Sequence, residues 1–166
     1  MKIDAQFYAE RNALFRLDGT PVALADVPVA DVAACLAGHA GAELLCGVRV
    51  PWSAVGLSED SYDEAFLAAF RDFLKRLEAE KRFVVIVPVV DSPVEGDTGR
   101  EALTAAFVHC ARRVKDCASV VGFCIPAEVD AAAFWEALLR KHPHYLFFST
   151  DSEVLVDQTV IQFSPK

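Results

Sequence analysis

The chain has 166 residues, 54 % of them hydrophobic, and its 24 acidic residues outnumber its 16 basic ones to give a net charge of −8. That length fits one domain, residues 1–166, with room for a sizeable core. The acidic balance argues against a nucleic-acid surface, since such surfaces draw their affinity from clustered Lys and Arg. Apolar runs are short. The longest, Phe83–Val90, falls far below the roughly 18 residues that a membrane helix needs. The opening MKIDAQFYAERN carries charges where a signal peptide needs its apolar core. A soluble, cytoplasmic protein without a signal peptide or membrane contact is the expectation.

The elements alternate along the chain. ALFRLDGTPVAL reads as a hairpin turning at Asp18-Gly19, with a first strand at Val22–Ala25. Asp31–Ala42 is alanine-rich and helical, and Glu43–Val50 is a strand running into Pro51-Trp52. Tyr62–Lys81 places Phe66, Phe70, Phe73, Leu74 and Leu77 on one helical face, with Ser58 or Asp60 as its cap. Phe83–Val90 is apolar on both faces, which marks a buried parallel strand.

A turn-rich loop (Asp91–Gly99) leads to a helix from Arg100 to Lys115 and a strand at Val120–Ile125. Then come a helix (Ala131–Lys141), a strand (Tyr145–Ser149) and a last strand (Val160–Phe163). Strands alternating with helices through short links specify parallel βαβ units. No glycine-rich phosphate loop follows any strand, which removes the usual nucleotide-binding open sheets. Arg49, Trp52, Asp91 and Glu128 instead gather just past strand ends, the face on which (β/α) barrels build their sites. The predicted fold is α/β: a partial TIM-type (β/α) barrel of six sequential parallel strands, outer helices and a short N-terminal hairpin.

The five cysteines (Cys35, Cys46, Cys110, Cys117, Cys124) are odd in number and lack CxxC spacing; three sit in apolar strand or helix cores as small hydrophobes, and all read as reduced thiols. No Cys or His pair has zinc-ligand spacing, and His142-Pro143-His144 reads as a surface turn. No metal and no cofactor is expected. His109 and Cys110 are helix neighbours pointing apart, not a nucleophile pair.

The order of elements resembles the cellulase-like retaining glycosidases of glycoside hydrolase family five. FRLDGTPVAL is similar to their lead-in hairpin, CGVRVPWSAV to their second strand, and ARRVKDCASVVGFCIPAEVD to the helix and fourth strand that end in an Asn-Glu pair. The resemblance implies that Glu128 stands where the family keeps its acid/base carboxylate, and Arg49 where it keeps an arginine supporting the nucleophile. Ala127 replaces the family's asparagine, and the family's nucleophile lies on a seventh strand, beyond the six found here. Retaining chemistry needs that second carboxylate about 5–5.5 Å from the first.

Each candidate also has a plainer role. Glu128 is either the acid/base or an acid favoured at a helix N-terminus. Arg49 supports a nucleophile or pairs with Glu128 or Asp91. Trp52 is a sugar-stacking platform or a loop anchor, and Asp91 is a substrate contact or a turn residue. Trp135 is read as core. The functional expectation is a non-catalytic, glycosidase-like subunit for carbohydrate binding or assembly. The alternative is a retaining glycosidase whose nucleophile comes from another chain. Because six strands of an eight-strand pattern leave unpaired edges, a homodimer or a protein partner is expected to cover the opening between the first and last strands.

Overall fold

The computed structural model describes residues 3–165. It opens with an antiparallel hairpin, β1 (Phe7–Glu10) and β2 (Ala13–Arg16), joined through Arg11-Asn12. Both turn residues have positive φ, 51° and 61°, the geometry of the tight turns that match strand twist. Six further strands follow: β3 (Val29–Asp31), β4 (Leu45–Pro51), β5 (Phe83–Val89), β6 (Val120–Cys124), β7 (Leu146–Ser149) and β8 (Val160–Gln162). They form one parallel sheet in sequence order, without the reversal that creates a switch point in doubly wound folds. Helices α1 (Val32–Leu36), α2 (Trp52–Val55), α3 (Glu64–Ala79), α4 (Gly96–Arg113) and α5 (Ala131–Leu139) occupy the crossovers. The architecture is the α/β partial barrel that the alternating pattern predicts.

Two-sided apolar strands require two apolar covers. On the outer face Val48, Val50, Val84, Ile86, Phe123 and Phe147 pack against Leu67, Phe70, Leu74, Leu103, Phe107 and Phe134 from the helices. On the inner face Leu45, Val85, Val87, Val121, Phe148 and Ile161 pack against Phe7 and Leu14 of the hairpin. Val22, Leu24 and Val27 join that inner cluster. The chain therefore fills the concave side of its own sheet with its N-terminal segment.

Glycine is required at one strand position. A Cβ on Gly122 would fall inside the van der Waals envelope of the Leu146 carbonyl on the neighbouring strand. The β5–β6 register also shifts between Val84 and Val85, a local irregularity beside this contact. A side chain at Gly122 would force β6 and β7 apart.

Several boundaries differ from the sequence expectation. The first strand of the sheet is Val29–Asp31, not Val22–Ala25. The apolar alternation at Val22 and Leu24 is real, but it buries those side chains against the inner core, while the backbone there forms no ladder. The hairpin turns at Arg11-Asn12. Asp18-Gly19 makes a second turn that brings Pro21 opposite Phe15 in an isolated bridge. Helix α1 stops at Leu36 because Gly38 adopts φ +90° just past its end. Helix α3 is capped by Asp63, whose carboxylate accepts the Phe66 N–H at 2.9 Å; Ser58 instead precedes a separate 3₁₀ turn at Glu59–Ser61.

One sheet edge expected to be open is partly occupied. Asn12, at the hairpin turn, accepts a hydrogen bond from the Gln162 N–H at 2.9 Å and donates its own N–H to the Gln158 carbonyl at 2.9 Å. Its side-chain amide donates to the carbonyls of Leu155 (3.0 Å), Asp157 (2.9 Å) and Val160 (2.7 Å). One residue thus satisfies much of the outer edge of β8. A cleft of about 470 Å³ remains between β8 and the Val22–Ala25 segment, with Leu14 and Phe163 among its lining.

Candidate functional site

The C-terminal ends of β5, β6 and β7 enclose a cavity of about 370 Å³ at the mouth of the partial barrel. Val87, Val89, Phe148 and Phe163 form apolar walls, while Ser149, Thr150 and Glu128 supply polar atoms. Strand β6 ends at Cys124, and Ile125 continues its ladder by donating its N–H to the Phe148 carbonyl at 2.8 Å. Pro126 follows and lacks an N–H to extend the pairing, so the chain turns out and exposes Ala127 and Glu128.

Glu128 is exposed and has no hydrogen-bond or ion-pair partner among the described residues. The helix-terminal role offered for it belongs to Asp130, whose carboxylate accepts the Ala133 N–H at 3.0 Å and caps α5. Among the described residues lining the cavity, Glu128 is the one carboxylate. Cys124 lines it too, but burial pushes its thiol up to about 12, so it stays protonated and is a poor nucleophile.

The other candidates are engaged elsewhere. Arg49 Nη1 lies 3.4 Å from the Asp31 carboxylate, across the parallel register in which Asp31 faces Arg49. Asp91 accepts the Ser53 N–H at 3.0 Å and the Ser53 hydroxyl, tying the end of β5 to the first turn of α2. Trp52 is only 3 % exposed and lies in the outer core with Val50 and Val55, where no ring face meets solvent. Its burial fits the loop anchor and not the sugar platform. Neither Arg49, Trp52 nor Asp91 lines the Glu128 cavity.

Chemically, the mouth offers one solvated carboxylate over an apolar floor with two hydroxyls at the side. Such a group can accept hydrogen bonds from a ligand or give up a proton. Alone it cannot form and hydrolyse a glycosyl intermediate, which takes a second carboxylate. Among the described residues, no group of three or more His, Cys, Asp or Glu is placed to hold a metal. No helix there is long and apolar enough to cross a membrane.

No protein-family model matches the chain, and no curated protein matches it. A comparison with solved structures does find neighbours. The catalytic domain of the Thermobifida fusca endoglucanase Cel5A (E5) superposes with a TM-score of 0.60 at 14 % identity. The match covers 91 % of this chain and 56 % of that one. The chain therefore shares the cellulase-like barrel fold over nearly all its length while spanning little more than half of the neighbour.

Sequence reasoning missed the links that fix the mouth. Asp31, Ser53 and Asp130 were each visible as polar residues beside strand or helix ends. Only the parallel register revealed that Asp31 meets Arg49 and that Asp91 reaches Ser53.

Proposed function

We propose that this chain is a glycoside-hydrolase-like barrel protein without hydrolytic activity, serving as a carbohydrate-binding or assembly subunit. The observation carrying the proposal is the composition of the mouth cavity: Glu128 is the single carboxylate among the described residues that line it. The family resemblance is the support for a carbohydrate ligand, and the shared barrel fold of the endoglucanase domain is in keeping with it. For the assembly role, the support is the cleft between β8 and the Val22–Ala25 segment, which a second copy or another protein would cover.

The test is a pair of measurements on the same sample. Activated aryl glycosides should give no turnover above background, in the wild type and in Glu128→Gln alike. Gluco-oligosaccharide titration should move backbone signals at Cys124–Val129, and light scattering over a concentration series should show a species larger than 18.1 kDa. Hydrolysis abolished by Glu128→Gln would overturn the non-catalytic reading and favour a glycosidase completed by another chain. A strictly monomeric protein without sugar-dependent shifts would remove both binding and assembly.

A further inference from the structure

The end of the sheet opposite Glu128 holds a second group of ionisable side chains, which the reading above leaves without a role. The chain enters β7 through Lys141-His142-Pro143-His144-Tyr145. Far from being a plain surface turn, this segment is anchored. Tyr145 is buried and donates its hydroxyl hydrogen to the Ala111 carbonyl at 3.2 Å. His142 is 5 % exposed, and its Nε2 is buried without a hydrogen-bond partner. The Nε2 of His144 is in the same condition, with its ring 4.3 Å from that of Tyr145 and 6.4 Å from that of His142.

These histidines line a cleft of about 650 Å³ together with Lys115, Lys141, Asp4 and Asp116. Asp116 is already committed. Arg71 donates to it from Nε at 3.2 Å and from Nη2 at 2.5 Å, and the Asp116 carbonyl accepts from Lys75 at 2.6 Å. Lys115 and Lys141 have no hydrogen-bond or ion-pair partner among the described residues. Asp4 is the one remaining carboxylate on the cleft. A chain with a net charge of −8 thus gathers two uncompensated ammonium groups and two unsatisfied imidazoles in one concave site.

We propose that this cleft is an anion site that takes a phosphate, or the phosphoryl group of a phosphomonoester, between Lys115 and Lys141, with His142 and His144 behind it. Both lysines line the cleft and both act electrostatically on His142, so a dianion held there would meet favourable charge from each. The histidines couple the site to pH. Burial, then His144, Lys115, Lys141 and Arg112, push His142 down to about 4, and burial lowers His144. A bound anion offsets those cations and makes the imidazoles easier to protonate. By linkage, their protonation in turn tightens anion binding.

The experiment is a proton–nitrogen NMR titration of the full chain with inorganic phosphate, at ionic strength held constant with chloride. Saturable shifts confined to Lys115, Asp116 and Lys141–Tyr145 are expected. The His142 and His144 ring protons should titrate at higher pH when phosphate is present. Affinity should fall about tenfold or more in Lys115→Gln/Lys141→Gln, whose exposed side chains leave the core untouched. Glycerol 3-phosphate run in parallel separates the sources: tighter binding than inorganic phosphate indicates a phosphomonoester, and equal binding a free ion. Non-saturating shifts, or saturable binding that survives the double lysine variant, would overturn the proposal. Glu128→Gln should bind phosphate as the wild type does, so the mouth and this cleft succeed or fail separately.

Discussion

The two faces of the sheet are covered by different means. The outer face is sealed by long helices that leave Leu67, Phe70, Leu74, Leu103 and Phe107 without measurable exposure. The inner face is sealed by a four-residue hairpin pair and an irregular segment, with Phe7, Leu14, Val22 and Leu24 as its apolar contribution. Helical cover is local, each helix lying between the strands it protects. Hairpin cover is remote, because residues near the chain start shield strands laid down up to 150 positions later. Loss of packing on the outer face should therefore loosen one layer, while loss on the inner face should detach a whole segment.

The largest effect is expected from Phe107→Ala in the outer core. Phe107 is fully buried, and deleting such a ring typically costs about 3–5 kcal/mol. Denaturant unfolding should show a lower midpoint with an unchanged slope. Leu14→Ala, on the inner face at 1 % exposure, should cost about 2–4 kcal/mol. Its signature should differ: hydrogen exchange should accelerate throughout β1 and β2 and at Gln162 while the helices stay protected. Uniform acceleration in both variants would abolish the contrast between the faces.

A third test uses pH at the lower rim. Because His142 is held down to about 4, the folded chain binds fewer protons there than the unfolded chain, whose histidine titrates near 6.5. Stability is complete above that unfolded value and is lost as pH falls toward 4. Between pH 7 and 5 the loss should be on the order of 2 kcal/mol in the absence of anions. His142→Phe should flatten most of that slope.

Asn12→Ala should cost about 1–2 kcal/mol by removing three side-chain hydrogen bonds to segment 155–160. Faster exchange at Gln162 should report the damage. The smallest effect belongs to Glu128→Gln, which should leave stability within about 0.5 kcal/mol because the exposed carboxylate has no protein partner.

What could be read beforehand follows from the same contrast. Two-sided apolar strands and periodic helices are local signals, so the five strands β4–β8 and the sequential order of the sheet were legible, while the first strand, Val29–Asp31, was not. So was the delivery of Glu128 past the end of β6, since Pro126 marks where pairing stops. The inner cover was not legible, because a segment that buries Val22 and Leu24 without a ladder has the same alternation as a strand. The hairpin was misplaced because Arg11-Asn12 lacks the glycine that usually advertises such a turn, and the Asp18-Gly19 signal nearby is stronger. At the mouth, the partners of Arg49 and Asp91 depend on pairings between residues 18 and 38 positions apart, which composition does not encode.

Asn12 ties the turn between the first two strands of the chain to the sixth strand of the sheet, and that knot has a kinetic consequence. Its side chain binds residues 143 to 148 positions away, contacts that exist only after the whole parallel sheet has closed around the inner face. Long-range closures of this kind slow folding, because the chain loses conformational freedom before the contact is made. During synthesis, the turn between β1 and β2 lacks these partners until Val160–Gln162 has been made. The apolar hairpin is then the exposed surface of the intermediate and the place where aggregation would start.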